Sequence, residues 1–271
     1  MIDSHVHFWN YDPRRDAWIT PDMQAIRQDF LPAQFEQVNP GAGCVAVQAS
    51  QTDLETGFLL QLASDNPTIQ GVVGWTDLRA PNVEDTLAQY KTLALLKGFR
   101  HIVQAEPEGF LAQPDFIRGI HALGRAGFRY DILVFSQQLT EVAAFLEACP
   151  PQPFVLDHCA KPAIASGRID DWTADIQRIA RHPNVSCKVS GLLTEANWQN
   201  WSAKEIYPYL DVVFSAFGIE RLLFGSDWPL VQLAGGYRAW LNLLSAYLDG
   251  FSEAEKTAFF GGNAARFYTL S

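Results

Sequence analysis

Eight short apolar runs, each followed by a stretch of helical character, constrain this 271-residue chain more than any other feature of its sequence. The runs fall at roughly 2–7 (IDSHVH), 43–48 (GCVAVQ), 69–75 (IQGVVGW), 97–104 (KGFRHIVQ), 128–135 (FRYDILVF), 153–158 (PFVLDH), 184–190 (NVSCKVS) and 221–227 (RLLFGSD). Their Val, Ile, Leu and Phe content suits strands buried on both faces of a parallel sheet. The stretches between them carry helix punctuation. Thr52 with Glu55, Ser202 with Glu205 and Ser252 with Glu255 have capping-box spacing. Gly127, Pro183 and Gly218 follow expected helices at 114–126, 170–182 and 203–217, and Pro208 predicts a kink or break inside the last. Strands alternating with helices imply βα units with right-handed crossovers. Eight such units close into a (β/α)8 TIM barrel, a fold of about 250 residues, so residues 1–271 are read as one domain. A doubly wound open sheet is the other solution on pattern alone. It is weakened by the lack of a Gly-x-Gly-x-x-Gly turn after a strand.

Composition narrows the partners. Apolar residues make up 48% of the chain and charged residues 18%, enough for a sizeable core. The net charge of −10 argues against nucleic acid, because an acidic chain gains nothing from counterion release. Cys44, Cys149, Cys159 and Cys187 form no Cys-x-x-Cys pair and sit in apolar surroundings, the pattern of free thiols in a reducing, cytoplasmic compartment. The start, MIDSHVHFWN, shows neither a signal peptide nor a membrane anchor. A small-molecule substrate is the expected partner, and a homo-oligomer is compatible with the chain.

In a barrel, chemistry sits at the C-terminal ends of the strands. That rule selects His5, His7, Gln48, Trp75, Arg100 or His101, His158, Lys188 and Asp227. Strand periodicity puts Asp3, His5 and His7 on one face. A histidine pair at i, i+2 binds a metal or grips a polarised oxygen, although such pairs also arise by chance in sheets. His158 alone reads as a structural histidine, and Asp227 alone as a helix cap. Together, His5 and His7 from strand 1, His158 from strand 6 and Asp227 from strand 8 converge on one barrel mouth. Three imidazoles and a carboxylate are a set that holds a zinc-like ion or activates water.

The stretches IDSHVHFW at 2–9, LKGFRH at 96–101, LDHCAKP at 156–162, KVSGL at 188–192, FGSDWP at 224–229 and GNAARFY at 262–268 resemble the amidohydrolase superfamily, in its branch of sugar-lactone hydrolases. The resemblance covers the whole chain. It implies a catalytic site of His5, His7, His158 and Asp227, which are also the ligands if a metal is bound. It implies at most one divalent, zinc-like ion, one that can be dispensable. Many metal-dependent members carry a bridging lysine or glutamate on strand 4 and a further histidine on strand 5. Here those strands read KGFRHIVQ and FRYDILVF, and His101 falls on the face opposite Arg100, so a binuclear centre is not expected.

Other residues have two readings. Arg100 and Asp131 are expected to pair with each other across strands 4 and 5, with Arg100 also a candidate for substrate. Lys188 can polarise a carbonyl or bind a carboxylate, and Lys161 has a similar claim. Gln48 lies at a strand end within reach of substrate, and Trp9 and Trp228 offer aromatic faces for a sugar ring or simply pack the loops. GNAARFY is expected to dock a last helix under the barrel, without a part in catalysis. The function expected is hydrolysis of a sugar lactone with Asp227 as general base. The alternatives are metal-dependent non-oxidative decarboxylation and a ligand-binding barrel without turnover.

Overall fold

The computed structural model describes residues 1–270. Strands β1 (Ile2–Val6), β2 (Gly43–Val47), β3 (Ile69–Gly74), β4 (Leu96–Ile102), β5 (Arg129–Leu133), β6 (Phe154–Leu156), β7 (Val185–Val189) and β8 (Leu222–Phe224) form one sheet in sequential order, every neighbouring pair parallel. Backbone just past β8 closes the ring onto β1. The Asp227 N–H donates to the His5 carbonyl (3.0 Å), and the His7 N–H donates to the Trp228 carbonyl (2.7 Å). The fold is a (β/α)8 barrel.

A helix follows each strand: Pro32–Val38, Asp53–Asp65, Val83–Tyr90, Pro114–Ala126, Leu139–Ala148, Asp170–Ile179, Ala203–Phe217 and Gly236–Tyr247. Local chemistry sets several ends. Pro114 opens its helix at a position needing no N–H, and Gly127, at φ 89°, closes it by donating to the carbonyls of Leu123 and Gly124. The helix Ala203–Phe217 runs through Pro208 without a break. Its buried face of Ile206, Tyr209, Leu210, Val213, Phe214 and Phe217 holds it to the barrel and outweighs one lost hydrogen bond.

The core has two parts. The larger fills the layer between sheet and helices. The smaller lies in the lower bore, where Val45, Val47, Val73, Val155 and Leu223 meet Ala264 and Tyr268 from the last helix, Asn263–Tyr268. GNAARFY thus plugs the bore from below.

Asp3 departs from the expected alternation. The register of β1 against β2 shifts between Asp3 and Val6, which flips the strand's parity. Ile2 joins the bore cluster, and Asp3 turns toward Tyr237 in the helix layer. Its Oδ1 accepts from the N–H groups of His5 (3.1 Å) and Ser226 (2.9 Å). Asp3 therefore splints β1 to the β8 end and is no part of the site. Burial pushes its carboxyl up to about 6, against the hydrogen bonds from Ser226, His5 and Tyr237. The folded chain then holds this proton more tightly than the unfolded chain, whose carboxyl titrates near 3.8. Stability from that difference is full below 3.8 and is lost as pH rises through about 6. Asp3→Asn keeps the acceptor oxygen and has no such step. Urea denaturation is expected to show the variant gaining about 1–3 kcal/mol on the parent between pH 4 and pH 7, since each tenfold difference in proton affinity is worth about 1.4 kcal/mol. A constant difference across that range would mean Asp3 titrates like an exposed carboxylate.

Candidate active site

Two strand ends carry the site in left-handed backbone. β6 stops at Leu156, and His158, Cys159, Ala160 and Lys161 all have φ between 48° and 57°. β8 stops at Phe224, and Asp227 has φ 59°. Such a run of non-glycine residues is costly, about 1–2 kcal/mol for each. It turns Asp157 and His158 both inward, which simple strand alternation forbids. Gly191, at φ 66°, lets the chain after β7 pass against the His158 ring, and a Cβ there would lie 2.8 Å from Nδ1.

The four expected residues come together and are buried. Asp227 Oδ1 is 3.4 Å from His7 Nε2 and 3.9 Å from the Nε2 atoms of both His5 and His158. His5 and His158 rings lie 4.3 Å apart, centre to centre. His7 Nδ1 is 2.7 Å from the Val47 carbonyl, which can only accept, so this nitrogen carries the proton and Nε2 presents a lone pair. His158 Nδ1 is 2.8 Å from Ser190 Oγ. Burial pushes all three imidazoles below their ordinary pKa, His5 and His158 furthest. Burial would raise the Asp227 carboxyl, but the surrounding imidazoles and Lys161 hold it below its ordinary value. It is ionised at neutral pH.

The donor set fits a divalent cation. His5 Nε2 and His7 Nε2 are 3.2 Å apart. Two nitrogens on one tetrahedral ion with bonds of about 2.0–2.1 Å stand about 3.3 Å apart. Neither oxygen of the buried Asp227 has a hydrogen-bond partner. His7 thus aims a lone pair and Asp227 a carboxylate at one point, with His5 Nε2 at ligand spacing beside them. His5, His7 and Asp227 form one group of ligand spacing, and His5, Asp157 and His158 form another around the same imidazole.

Beneath these residues lies a charge cluster that corrects the expected Arg100–Asp131 pair. The two are direct partners between β4 and β5, yet Arg100 Nη1 pairs with Asp157 Oδ2 (3.1 Å), and Lys188 Nζ pairs with Asp131 Oδ2 (2.5 Å). Barrel bores fill in layers built by alternate strands. Arg100 on β4 therefore shares a layer with the residue after β6, and Asp131 on β5 shares one with Lys188 on β7. Lys188 Nζ also reaches Asp157 Oδ1 (3.0 Å) and His5 Nδ1 (3.1 Å). Arg100 Nη1 stands 3.1 Å from His5 Nε2, and its Nη2 donates to the Gln48 carbonyl.

The expected substrate contacts divide accordingly. Arg100 reaches the floor of the site. Lys188 does not reach the mouth, because its ammonium is consumed in the bore by Asp131, Asp157 and His5. Gln48 donates to the Arg100 carbonyl (3.1 Å), and its buried Oε1 is unpartnered. Trp9 donates to the Gln28 carbonyl (2.8 Å), and its ring centre is 6.5 Å from that of His7. Trp228 is sealed among Phe8, Phe30 and Phe35 and offers no open face to a sugar. His101 lies outside the bore between Trp75 (3.3 Å) and Glu106 (2.7 Å), stacked on Phe110. Lys161 pairs with Glu195 at 3.6 Å. Sequence reasoning missed Asp157 and Ser190. Asp157 was hidden by its neighbour His158, since alternation assigns adjacent residues to opposite faces, and SGL after β7 was the one trace of Ser190.

The model of the amidohydrolase family matches residues 2–270. An L-fucono-1,5-lactonase of Burkholderia multivorans is 40% identical, over 99% of this chain and 96% of its own length. A second L-fucono-1,5-lactonase, from Burkholderia ambifaria, is 35% identical over 99% and 95%. A crystal structure of an amidohydrolase from Burkholderia multivorans with bound zinc superposes with a TM-score of 0.95 at 39% identity, covering 100% of this chain and 99% of that one. With the profile spanning nearly every residue and the barrel matched end to end, this chain belongs to the amidohydrolase family.

Proposed function

We propose that this protein is a cytoplasmic lactonase that opens the ring of a sugar-derived lactone by water attack, with Asp227 as general base. The observation that carries the reading is the Asp227 carboxylate itself, buried, ionised and unpartnered among three neutral imidazoles. A carboxylate kept free of hydrogen bonds inside a barrel mouth is expensive and is suited to taking a proton from water. The two lactonase relatives supply the substrate class. The described residues include no helix long and apolar enough to cross a membrane, and the four cysteines are free, which suits a reducing compartment.

Water placed against Asp227 gives up a proton to the carboxylate as its oxygen bonds to the lactone carbonyl carbon. The carbonyl oxygen takes the negative charge and is stabilised by the imidazoles and by Arg100 beside His5. When the tetrahedral adduct collapses, the ring C–O bond breaks and the departing oxygen needs a proton. His158, neutral and held 2.8 Å from Ser190 Oγ at Nδ1, orients the departing oxygen beside Asp227. Asp227, now protonated, supplies that proton and returns to the carboxylate. A single divalent ion on His5, His7 and Asp227, with His158 beside them, would polarise the carbonyl and acidify the water.

The test is a panel of aldonolactones, L-fucono-1,5-lactone first, followed by acid release with a pH indicator, with and without chelator. Ring opening of at least one aldonolactone is expected, and elemental analysis is expected to find no more than one metal equivalent per chain. Turnover of an aromatic acid instead, abolished by chelator, would replace this reading with non-oxidative decarboxylation. Failure on both substrate classes would leave a binding barrel.

A further inference from the structure

The last helix reaches the catalytic histidine through the bore. Tyr268 stands in the lower bore cluster with no exposure to solvent. Its hydroxyl donates to Asp131 Oδ2 at 2.7 Å. The same oxygen receives Lys188 Nζ at 2.5 Å, and that ammonium sits 3.1 Å from His5 Nδ1. Three short contacts thus run in series from the C-terminal helix to the imidazole floor of the site, every member fully buried.

From this column we infer that Tyr268 is a positioning residue for His5, acting through Asp131 and Lys188. The inference rests on the lactonase reading only for its kinetic arm. Its physical basis is the sharing of Asp131 Oδ2. Asp131 Oδ1 has no partner, so the hydroxyl and the ammonium together fix which oxygen points up the bore. Without the hydroxyl, Lys188 alone holds the carboxylate, and the ammonium, drawn also by Asp157 Oδ1 at 3.0 Å, is left to shift between the two. His5 then loses the contact at Nδ1 that sets how its Nε2 faces His7 and Asp227. Outer partners that orient a reacting imidazole commonly matter about 10–100-fold to activity or metal affinity.

The test uses the full chain. Tyr268→Phe removes only the oxygen, and Asp131→Asn breaks the next link while keeping its shape. In ¹⁵N-histidine spectra both variants are expected to move the His5 ring signals and leave those of His121 and His182, on the barrel exterior, in place. With lactone as substrate, Tyr268→Phe is expected to lower kcat about tenfold with KM within about twofold. The double variant is expected to be no slower than Asp131→Asn alone, because the links act in series. Lys97→Met, which removes only the 3.3 Å bond from Lys97 to the Thr269 carbonyl, is expected to leave the His5 signals unchanged. Unmoved His5 signals in folded Tyr268→Phe would overturn the inference. So would additive losses in the double variant, or an equal shift in Lys97→Met, since each would mean the helix matters only as a plug. Because the spectra need no substrate, they decide the inference even if no lactone is turned over.

Discussion

Asp227→Asn is expected to fold as the parent does and to lose about 10²–10⁴-fold in kcat, the usual contribution of a general base. Folding should survive for two reasons. Asparagine accepts the left-handed backbone that Asp227 adopts at φ 59° more readily than most residues. Its amide also supplies a donor where the parent presents an unpartnered carboxylate oxygen to the Nε2 lone pair of His7, 3.4 Å away. Thermal stability should therefore hold or rise while turnover collapses. KM should change much less, because the amide fills the same volume. Steady-state kinetics on a lactone, paired with a thermal melt of the same sample, read both outcomes. A folded Asp227→Asn enzyme working at nearly the parent rate would remove Asp227 as the base and make His158 the next candidate.

Lys188→Met is expected to be the most damaging single change to stability. Lys188 holds two buried carboxylates, Asp131 at 2.5 Å and Asp157 at 3.0 Å. Methionine matches the stem but leaves Asp131 with no cation, and Arg100 is already engaged with Asp157. Breaking a buried ion pair from one side costs about 3–5 kcal/mol. For a domain of this size about 2–4 °C of Tm goes with each kcal/mol, so a fall of roughly 10 °C is expected. Burial already pushes the Asp131 carboxyl up to about 6, with Lys188 opposing it. Without that opposition Asp131 should take up a proton at a still higher pH. The deficit should therefore shrink as pH falls from 8 toward 5, because protonation neutralises the stranded charge. Chemical denaturation at the two pH values reads the trend. A loss below about 1 kcal/mol, equal at both, would mean that water reaches the cluster and screens its charges.

Much of this protein is legible along one dimension. Eight apolar runs announce eight strands because a strand buried on both faces has no polar positions to interrupt it. The observed strands start within a residue of those runs, while β4, β5, β6 and β8 stop two or three residues short of the expected ends, at Ile102, Leu133, Leu156 and Phe224. At the ends of β6 and β8 the chain leaves the sheet in left-handed backbone, which aims His158 and Asp227 inward. The convergence of His5, His7, His158 and Asp227 was also readable, because a barrel brings strand ends to one mouth whatever the loops do.

What tertiary structure alone decided is who pairs with whom. Sequence adjacency made Arg100 and Asp131 partners, but the bore layers side chains from alternate strands and gave each a partner two strands away. Alternation put Asp3 beside His5, but a shift in β1 turned it toward the helices. The aromatic character of Trp228 suited a sugar face, but three phenylalanines from the loop after β1 and the following helix enclosed it. Tyr268, far from every motif that carries the chemistry, came to touch the charge column under His5. Local pattern fixes which face of an element is buried, because burial follows composition at a period of 2 or 3.6 residues. Pairing inside a closed barrel follows from stagger and depth across the bore, and those exist only once the ring has closed.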